Sequence, residues 1–181
     1  MTTIYVILTI VILAGVAVYL LYSQLIASRI DCQEAWNQLT ARLKLRYDVL
    51  PNIVDLMRSS AAHETALLEQ VEQARNAAIL AKGVEPRQEA EDNLTYQTRR
   101  LMKTARKYPA ISNSSDFGRL AEELTTAENQ IAYATQEYNE TVDDYNQQRE
   151  KLPHRLVAKL MKFHPMQNFR IDDPSQKIGA V

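Results

Sequence analysis

Residues 117–152 read FGRLAEELTTAENQIAYATQEYNETVDDYNQQREKL, a stretch of sustained helical hydrophobic spacing. Apolar or small residues recur at alternating steps of three and four, which places them along one face of an α-helix. A seam of this kind, kept over about five heptads, is typical of coiled-coil-like packing in near-antiparallel helical bundles. The stretch therefore predicts one long helix with a core face. The seam positions are Phe117, Leu120, Leu124, Ala127, Ile131, Ala134, Tyr138, Thr141, Tyr145 and Leu152.

Three more helical stretches precede this one, with apolar residues at the same spacings. They run from the N-terminal apolar segment to about residue 50, from about 52 to 81, and from about 86 to 108. Gly83 and Pro86 mark the second break, because glycine commonly follows a helix and proline commonly begins one. Turn formers are scarce, with 4 Gly and 6 Pro in 181 residues. This composition argues against a many-stranded sheet and predicts an all-α fold.

The N-terminal segment 4–21, IYVILTIVILAGVAVYLL, contains no charged residue. Its length matches a helix that crosses a hydrocarbon core of roughly 30 Å. No Lys or Arg precedes it, and it is longer than the apolar region of a signal peptide, so we expect an uncleaved transmembrane anchor. We assign residues 1–27 to the anchor, 28–152 to a helical bundle, and 153–181 to a C-terminal amphipathic segment and tail.

Positive charge follows the anchor and does not precede it. Arg29 and Arg42 come first, and Lys44 and Arg46 lie slightly further on. The positive-inside rule therefore favours a cytoplasmic soluble body with the N-terminus outside. The single cysteine, Cys32, excludes an internal disulfide framework.

Pro51 leaves the topology open. The apolar phase passes from Leu50 to Val54 almost undisturbed, which favours one long, kinked helix. Proline is also well tolerated in the first turn of a helix, so a chain reversal here is the alternative. A reversal would produce an antiparallel, up-and-down four-helix bundle.

The residues around Pro51 belong to a longer pattern. Residues 46–54, RYDVLPNIV, resemble the RRYDLIPNLV signature of the LemA family, and His63-Glu64 and Ala74-Arg75-Asn76 follow at the family's spacing. Residues 124–132, LTTAENQIA, resemble its LxxTENxIA segment, with Ala127 in place of a Thr. Residues 138–146, YNETVDDYN, match its YNxxVxxYN segment. The similarity extends over essentially the whole chain.

This resemblance implies an N-terminal membrane anchor, a four-helix bundle and a place in the bacterial inner membrane. It also favours the reversal at Pro51. It does not imply a reaction. Members of the family are tied to membrane-stress proteolysis, being found beside HtpX-like metalloproteases, and one relative serves in magnetosome membranes. The family therefore points toward a scaffold or an adaptor.

The signature residues form a candidate interaction patch with two interpretations. In the first, Arg46, Asp48 and Asn52 pair across the bundle and fix the helix register. The partners in that interpretation are Glu128 or Asn129. In the second, the same polar groups contact another protomer or a partner protein. The patch comprises Arg46, Asp48, Pro51, Asn52, Glu128 and Asn129.

Residues 155–163, RLVAKLMKF, predict a short amphipathic segment with Leu156, Leu160 and Phe163 on one side. Two interpretations are open: docking onto the end of the bundle, or lying on an anionic leaflet that attracts the basic side chains. The candidate membrane-surface residues are Arg155, Lys159, Lys162 and Phe163.

The sequence offers no catalytic pattern. His63-Glu64 begins like the metal-binding motif HExxH, but Leu67 occupies the position of the second histidine. The 21 Lys and Arg against 22 Asp and Glu give none of the basic excess of a nucleic-acid binder. We therefore expect no enzymatic activity, no cofactor, no metal and no nucleic-acid partner.

These features favour a non-enzymatic membrane scaffold that forms homo-oligomers through its helical bundle. Ala14, Gly15 and Ala17 add a weak close-packing face within the lipid bilayer. The alternative is an adaptor that binds a membrane protease or another membrane partner during envelope stress.

Overall fold

A computed structural model describes residues 2–172 of the protein, except the side chains of residues 60 and 62. All regular structure in this range is helical, which confirms the all-α prediction. Residues 173–181 of the predicted tail lie outside the described range. The helices are α1 (Thr2–Ser60), α2 (Thr65–Leu80), α3 (Val84–Ala105), α4 (Pro109–Ser112), α5 (Ser115–Glu150) and α6 (His154–Leu160), with a 3-10 turn at Ala62–Glu64 between α1 and α2.

Helix α1 continues through Pro51, so the reversal that the family resemblance favoured is wrong. The proline nitrogen cannot donate to the carbonyl of Tyr47, four residues earlier, and an interior proline costs about 3 kcal/mol. Arg75 of α2 donates from Nε to that carbonyl oxygen at 2.6 Å, which offsets part of the cost. The chain leaves helical geometry only at Ala61, with φ −136° and ψ 52°. The predicted stretch 52–81 is therefore divided between α1 and α2.

The break predicted at Gly83 is confirmed. Helix α2 ends at Leu80 and α3 begins at Val84, with Gly83 between them at φ 90°. This left-handed conformation is disfavoured for residues with a Cβ atom, which accounts for glycine here. Further along, the hydroxyl of Ser114 accepts a hydrogen bond from the backbone N–H of Phe117 at 3.2 Å and so caps the first turn of α5.

The core face predicted for residues 117–152 is largely correct. Eight of its ten positions are buried, and Thr141 is half-buried. Leu152 is 72% exposed because α5 has already ended at Glu150. Val142, beside the predicted position at Thr141, is fully buried instead.

The described residues form two compact units. The first combines residues up to Asn37 with Glu137–Asn168, and the second combines Gln38–Gln136 with the residues from Phe169 onward. Helices α1 and α5 contribute residues to both units.

In the first unit, α1 packs against α5 and α6. The rings of Trp36 and Tyr138 lie 5.2 Å apart, and the Cys32 thiol donates to the carbonyl of Thr141 at 3.4 Å. A separate apolar cluster joins α1 to α6 and to Phe163, three residues beyond the end of α6. Its members are Leu21, Tyr22, Leu25, Val157, Ala158 and Phe163.

The second unit has a core of aliphatic side chains from α1, α2, α3 and α5. Helix α2 packs along α3, and the short helix α4 adds the buried Ile111. In this unit, apolar residues of α1 and α2 that recur at helical spacing are buried. They include Leu43, Leu50, Ile53, Val54, Met57, Leu68, Val71, Ala74 and Ala78.

The N-terminal part of α1 is apolar and exposed. Its large apolar residues between Ile4 and Leu20 are all exposed, and no residue of the most apolar window is buried. By length and composition this is one helix that can cross a membrane.

Candidate functional site

Four side chains form a buried polar cluster in the second unit: Arg46 and Tyr47 of α1, and Glu91 and Thr95 of α3. Each is less than a tenth exposed. The Arg46 guanidinium pairs with Glu91 Oε2 and donates from Nη1 to Thr95 Oγ1 at 3.0 Å. The Tyr47 hydroxyl donates to the second carboxylate oxygen of Glu91. Both carboxylate oxygens therefore have a partner, which is the condition under which a buried charge is tolerated.

The electrostatics of the cluster keep the tyrosine protonated. Burial raises the pKa of Tyr47, and the negative charge of Glu91 raises it further. The hydroxyl therefore remains a hydrogen-bond donor at neutral pH. Arg46 Nε has no hydrogen-bond partner among the described residues.

The cluster corrects one interpretation of the signature residues. Arg46 takes its carboxylate from Glu91 of α3 and not from Glu128, and both Glu128 and Asn129 are exposed on α5. The described polar contacts of this arginine side chain are therefore with α3. A signal was present in the sequence: Glu91 lies three residues before Leu94, in phase with the apolar seam of its helix.

A second feature of this unit is an open groove of about 550 Å³ between α1 and α5, here called the α1–α5 groove. Asp48 and Asn52 of the sequence-based patch line it. Its rim carries three carboxylates and one arginine, Arg119, whose Nη1 lies 2.6 Å from Glu123 Oε1. The lining residues are Leu45, Asp48, Val49, Asn52, Arg119, Glu122, Glu123, Thr126, Ala127 and Gln130.

The other predicted patch residues lie elsewhere. Arg46 is interior, and Pro51 lines a separate pocket beside Arg75 of α2. Asn129 lines a neighbouring shallow groove with Arg42 and Tyr133. The six residues of the signature patch therefore do not form one surface. Only Asp48 and Asn52 share the α1–α5 groove.

In the first unit, the side chains of the segment 138–146 hold the chain that follows α6. Tyr138 donates to the carbonyl of Gln167 at 2.9 Å, and Tyr145 donates to that of His164 at 3.0 Å. Asn146 makes two hydrogen bonds with the backbone of Met166, at 2.9 and 3.0 Å. Burial raises the pKa of Tyr138 to about 12, so its hydroxyl stays a donor.

These contacts give the YNxxVxxYN residues a structural task that the sequence analysis missed. The chain they hold, residues 164–168, has no regular structure and hence no periodicity to reveal it. The side-chain donors of α5 therefore fix this largely exposed chain against the helix through its backbone carbonyls.

The C-terminal helix α6 docks against α1 in the same unit. Val157 and Ala158 are buried against Leu25, and the Phe163 ring meets the Tyr22 ring edge-on at 6.0 Å. His154 Nε2 of α6 also lies 2.8 Å from Gln24 Oε1 of α1. The docking interpretation of the tail therefore applies to its buried face.

The apolar side predicted for the segment 155–163 differs from the one in the structure. Leu156 and Leu160 are 68% and 73% exposed, whereas Phe163 is half-buried, so these three residues do not share one side. Arg155, Lys159 and Lys162 are exposed. They border a basic cleft of about 680 Å³, lined by Arg149, Glu150, Arg155, Ala158, Lys159, Lys162, Phe163 and His164.

Between residues 2 and 172, no group of three or more His, Cys, Asp or Glu side chains is placed to hold a metal ion. Glu64, from the HExxH-like pair, accepts a hydrogen bond from the Tyr108 hydroxyl at 3.0 Å.

An exposed apolar helix at the N-terminus, followed by helices with buried seams, defines a helical protein with one candidate membrane span. The chain belongs to the LemA family, whose model matches residues 35–181. A comparison with curated proteins finds no match.

Proposed function

We propose that this protein is a non-enzymatic, membrane-anchored scaffold whose copies associate through the α1–α5 groove. The groove carries the proposal because it combines an open apolar floor with a rim of both charges. Leu45 is 41% exposed there, and Val49 and Ala127 complete the floor. A symmetric dimer requires a surface that is complementary to itself. On such a dimer axis, Arg119 of one copy meets the carboxylates of the other.

We also propose that the helices form antiparallel bundles. Contacts between α1 and α5 in the first unit support this arrangement, because the partner number falls as the α1 number rises. The pairs are Ser28 with Gln148, Cys32 with Thr141, and Trp36 with Tyr138. In the second unit, Tyr47 with Arg75 and Arg58 with Glu72 follow the same order for α1 and α2.

The mass of the full-length protein in mild detergent tests the scaffold proposal. Light scattering is expected to give an oligomer for the wild type and a smaller species for Leu45→Arg. The matched control is Leu80→Arg, which adds the same charge at a leucine that is 76% exposed and does not line the groove. Circular dichroism melting of both variants separates lost association from lost folding. A monomeric wild type would contradict the scaffold and leave the groove for a client, such as a membrane protease.

A charge exchange sharpens the test. Arg119→Glu is expected to weaken association, because it places like charges across the proposed axis. Mixing Arg119→Glu with Glu122→Arg protein is expected to restore mixed oligomers. If each variant alone retains the wild-type mass, the groove is not the interface.

For the membrane, we propose a single pass in the bacterial inner membrane with a cytoplasmic body. The exposed apolar helix and the cations that follow it, Arg29 and Arg42, support this orientation. A C-terminal fusion to green fluorescent protein is expected to fluoresce, and the matching alkaline phosphatase fusion is expected to be inactive. The reverse result would place the body outside.

A further inference from the structure

Helix α6 is attached to α1 immediately after the exposed apolar run. The contacts are between Tyr22 and Phe163, between Leu25 and the Val157–Ala158 pair, and between Gln24 and His154. All of them fall on α1 residues 22–25, one to four residues beyond the apolar segment that ends at Leu21. If that segment spans the bilayer, as proposed above, α6 lies at the level of the lipid headgroups.

The exposed surface of α6 has two adjacent stripes. Successive residues on a helix are turned by about 100°, so Arg155 and Lys159 form one stripe and Leu156 and Leu160 the next. The buried pair Val157 and Ala158 occupies the remaining face. A basic stripe beside an apolar stripe is the arrangement of helices that lie in a membrane interface.

The basic cleft beside this helix lacks charge balance. Arg149, Arg155, Lys159 and Lys162 line it, against one carboxylate, Glu150. Arg149 donates to Glu150 at 3.0 Å from Nη2, and Arg155, Lys159 and Lys162 are exposed. Exposed guanidinium and ammonium groups that line one cleft favour an anionic ligand, and phosphate oxygens are acceptors that such groups bind well.

We infer that α6 and the basic cleft bind the phosphate groups of anionic phospholipids in the leaflet next to the anchor. The leucine stripe enters the acyl boundary, and the cations contact the headgroups. This inference rests on the anchoring part of the proposed function and does not depend on self-association.

Native mass spectrometry of the full-length protein with added phosphatidylglycerol or phosphatidylcholine tests the inference. The wild type is expected to retain phosphatidylglycerol preferentially. Each cation near an anionic leaflet contributes roughly a five-fold gain in affinity, so the triple variant Arg155→Gln, Lys159→Gln, Lys162→Gln should lose roughly a hundred-fold. The matched control neutralises three exposed lysines of the second unit, Lys82→Gln, Lys103→Gln and Lys107→Gln, and is expected to bind like the wild type.

Two further experiments determine whether the bound phosphate belongs to a lipid or to a soluble phosphate compound. Glycerol phosphate, a soluble headgroup analogue, is expected to compete weakly, because it lacks acyl chains for the leucine stripe. Leu156→Gln with Leu160→Gln, which keeps every cation, is expected to lower phosphatidylglycerol retention. Equal loss in both triple variants, no lipid preference in the wild type, or full competition by glycerol phosphate would overturn the inference. The same spectra report the oligomer mass, which tests the proposed self-association separately. A full-length protein that stays soluble without detergent would show that the proposed anchoring fails. Either failure is thus distinguished from a loss of lipid preference alone.

Discussion

Charged residues usually lie on the surface of a protein and large apolar residues in its interior. The buried polar cluster breaks the first half of this rule, and the N-terminal part of α1 breaks the second. In the cluster, Arg46 and Glu91 are charged and inside; in the segment 4–20, large apolar residues are outside. The cluster is tolerated because each carboxylate oxygen finds a donor within the protein. The apolar segment has no such internal partner, so only an apolar surrounding satisfies it. The comparison teaches that the fold resolves one departure, whereas the other lies in a helix that is long and apolar enough to cross a membrane.

The largest expected effect comes from breaking the cluster. Glu91→Ala should destabilise the protein by about 3–5 kcal/mol, because it leaves the Arg46 charge buried without its carboxylate. Urea unfolding of the full-length protein in detergent, followed by circular dichroism, measures the change. Glu89→Ala, at an exposed site two residues away, should stay within about 0.5 kcal/mol of the wild type.

The double variant Arg46→Met, Glu91→Leu sharpens the same point. Removing both charges eliminates the unpaired guanidinium, so much of the lost stability is expected to return. If the double variant is as unstable as Glu91→Ala, the loss arises from the Tyr47 and Thr95 contacts and not from the buried charge.

A charge placed in the apolar segment should impair membrane insertion and leave folding stability unchanged. Val11→Arg is expected to disfavour membrane insertion by about 2.5–3.5 kcal/mol, because arginine is costly at the centre of a membrane helix. The midpoint of urea unfolding of the helices beyond the apolar segment should be unchanged, since Val11 is exposed. Membrane fractionation and urea unfolding together test this, with Val11→Leu as control. A shifted urea midpoint with normal insertion would refute the contrast.

Arg75 is intermediate between the buried cluster and the exposed segment: it is a half-buried cation that donates a hydrogen bond to a backbone carbonyl. Arg75→Met should cost about 1–3 kcal/mol, because it leaves the Tyr47 carbonyl without a donor. Adding Pro51→Ala supplies a backbone N–H for the same oxygen, so the second substitution should be more favourable in the Arg75→Met background than in the wild type. Additive free energies in this double-mutant cycle would show that the two residues are independent.

Alkaline pH should have the smallest effect. Burial, with a smaller contribution from Asp31, raises the pKa of Cys32 to about 11. The unfolded chain therefore loses this proton at lower pH than the folded chain, and stability falls as pH rises through the interval from about 9 to 11. The expected loss is about 1 kcal/mol at pH 10. Cys32→Ala should reduce the slope of unfolding free energy against pH, and an unchanged slope would rule out this thiol as its source.

The sequence predicted the parts of the fold that depend on local periodicity. The α5 seam, the break at Gly83 and the apolar N-terminal helix all follow from spacing or from backbone preference. The course of the chain at Pro51 depended on a distant partner, Arg75, and the resemblance pointed the other way. The continuous apolar phase from Leu50 to Val54 carried the correct signal.

The candidate sites were less accessible to prediction because they are assembled from distant residues. Arg46 was recognised as important, but its partner Glu91 is 45 residues away and was not considered, although it lies in phase with an apolar seam. The contacts of Tyr138 and Tyr145 reach an irregular chain that no periodic pattern could reveal. Asp48 and Asn52 are exposed because both lie off the apolar stripe of α1, and their interaction role stays a prediction.

The thiol of Cys32 has a consequence for measuring motion. With a pKa of about 11, roughly one thiol in ten thousand is ionised at pH 7, and the side chain is fully buried. An alkylating reagent therefore reacts only when the contact between α1 and α5 opens around Thr141. The rate at which the native protein is alkylated at Cys32 thus measures how often this contact opens, and no probe needs to be introduced. Followed in lipid with and without a bound partner, it would report how strongly either one holds the first unit closed.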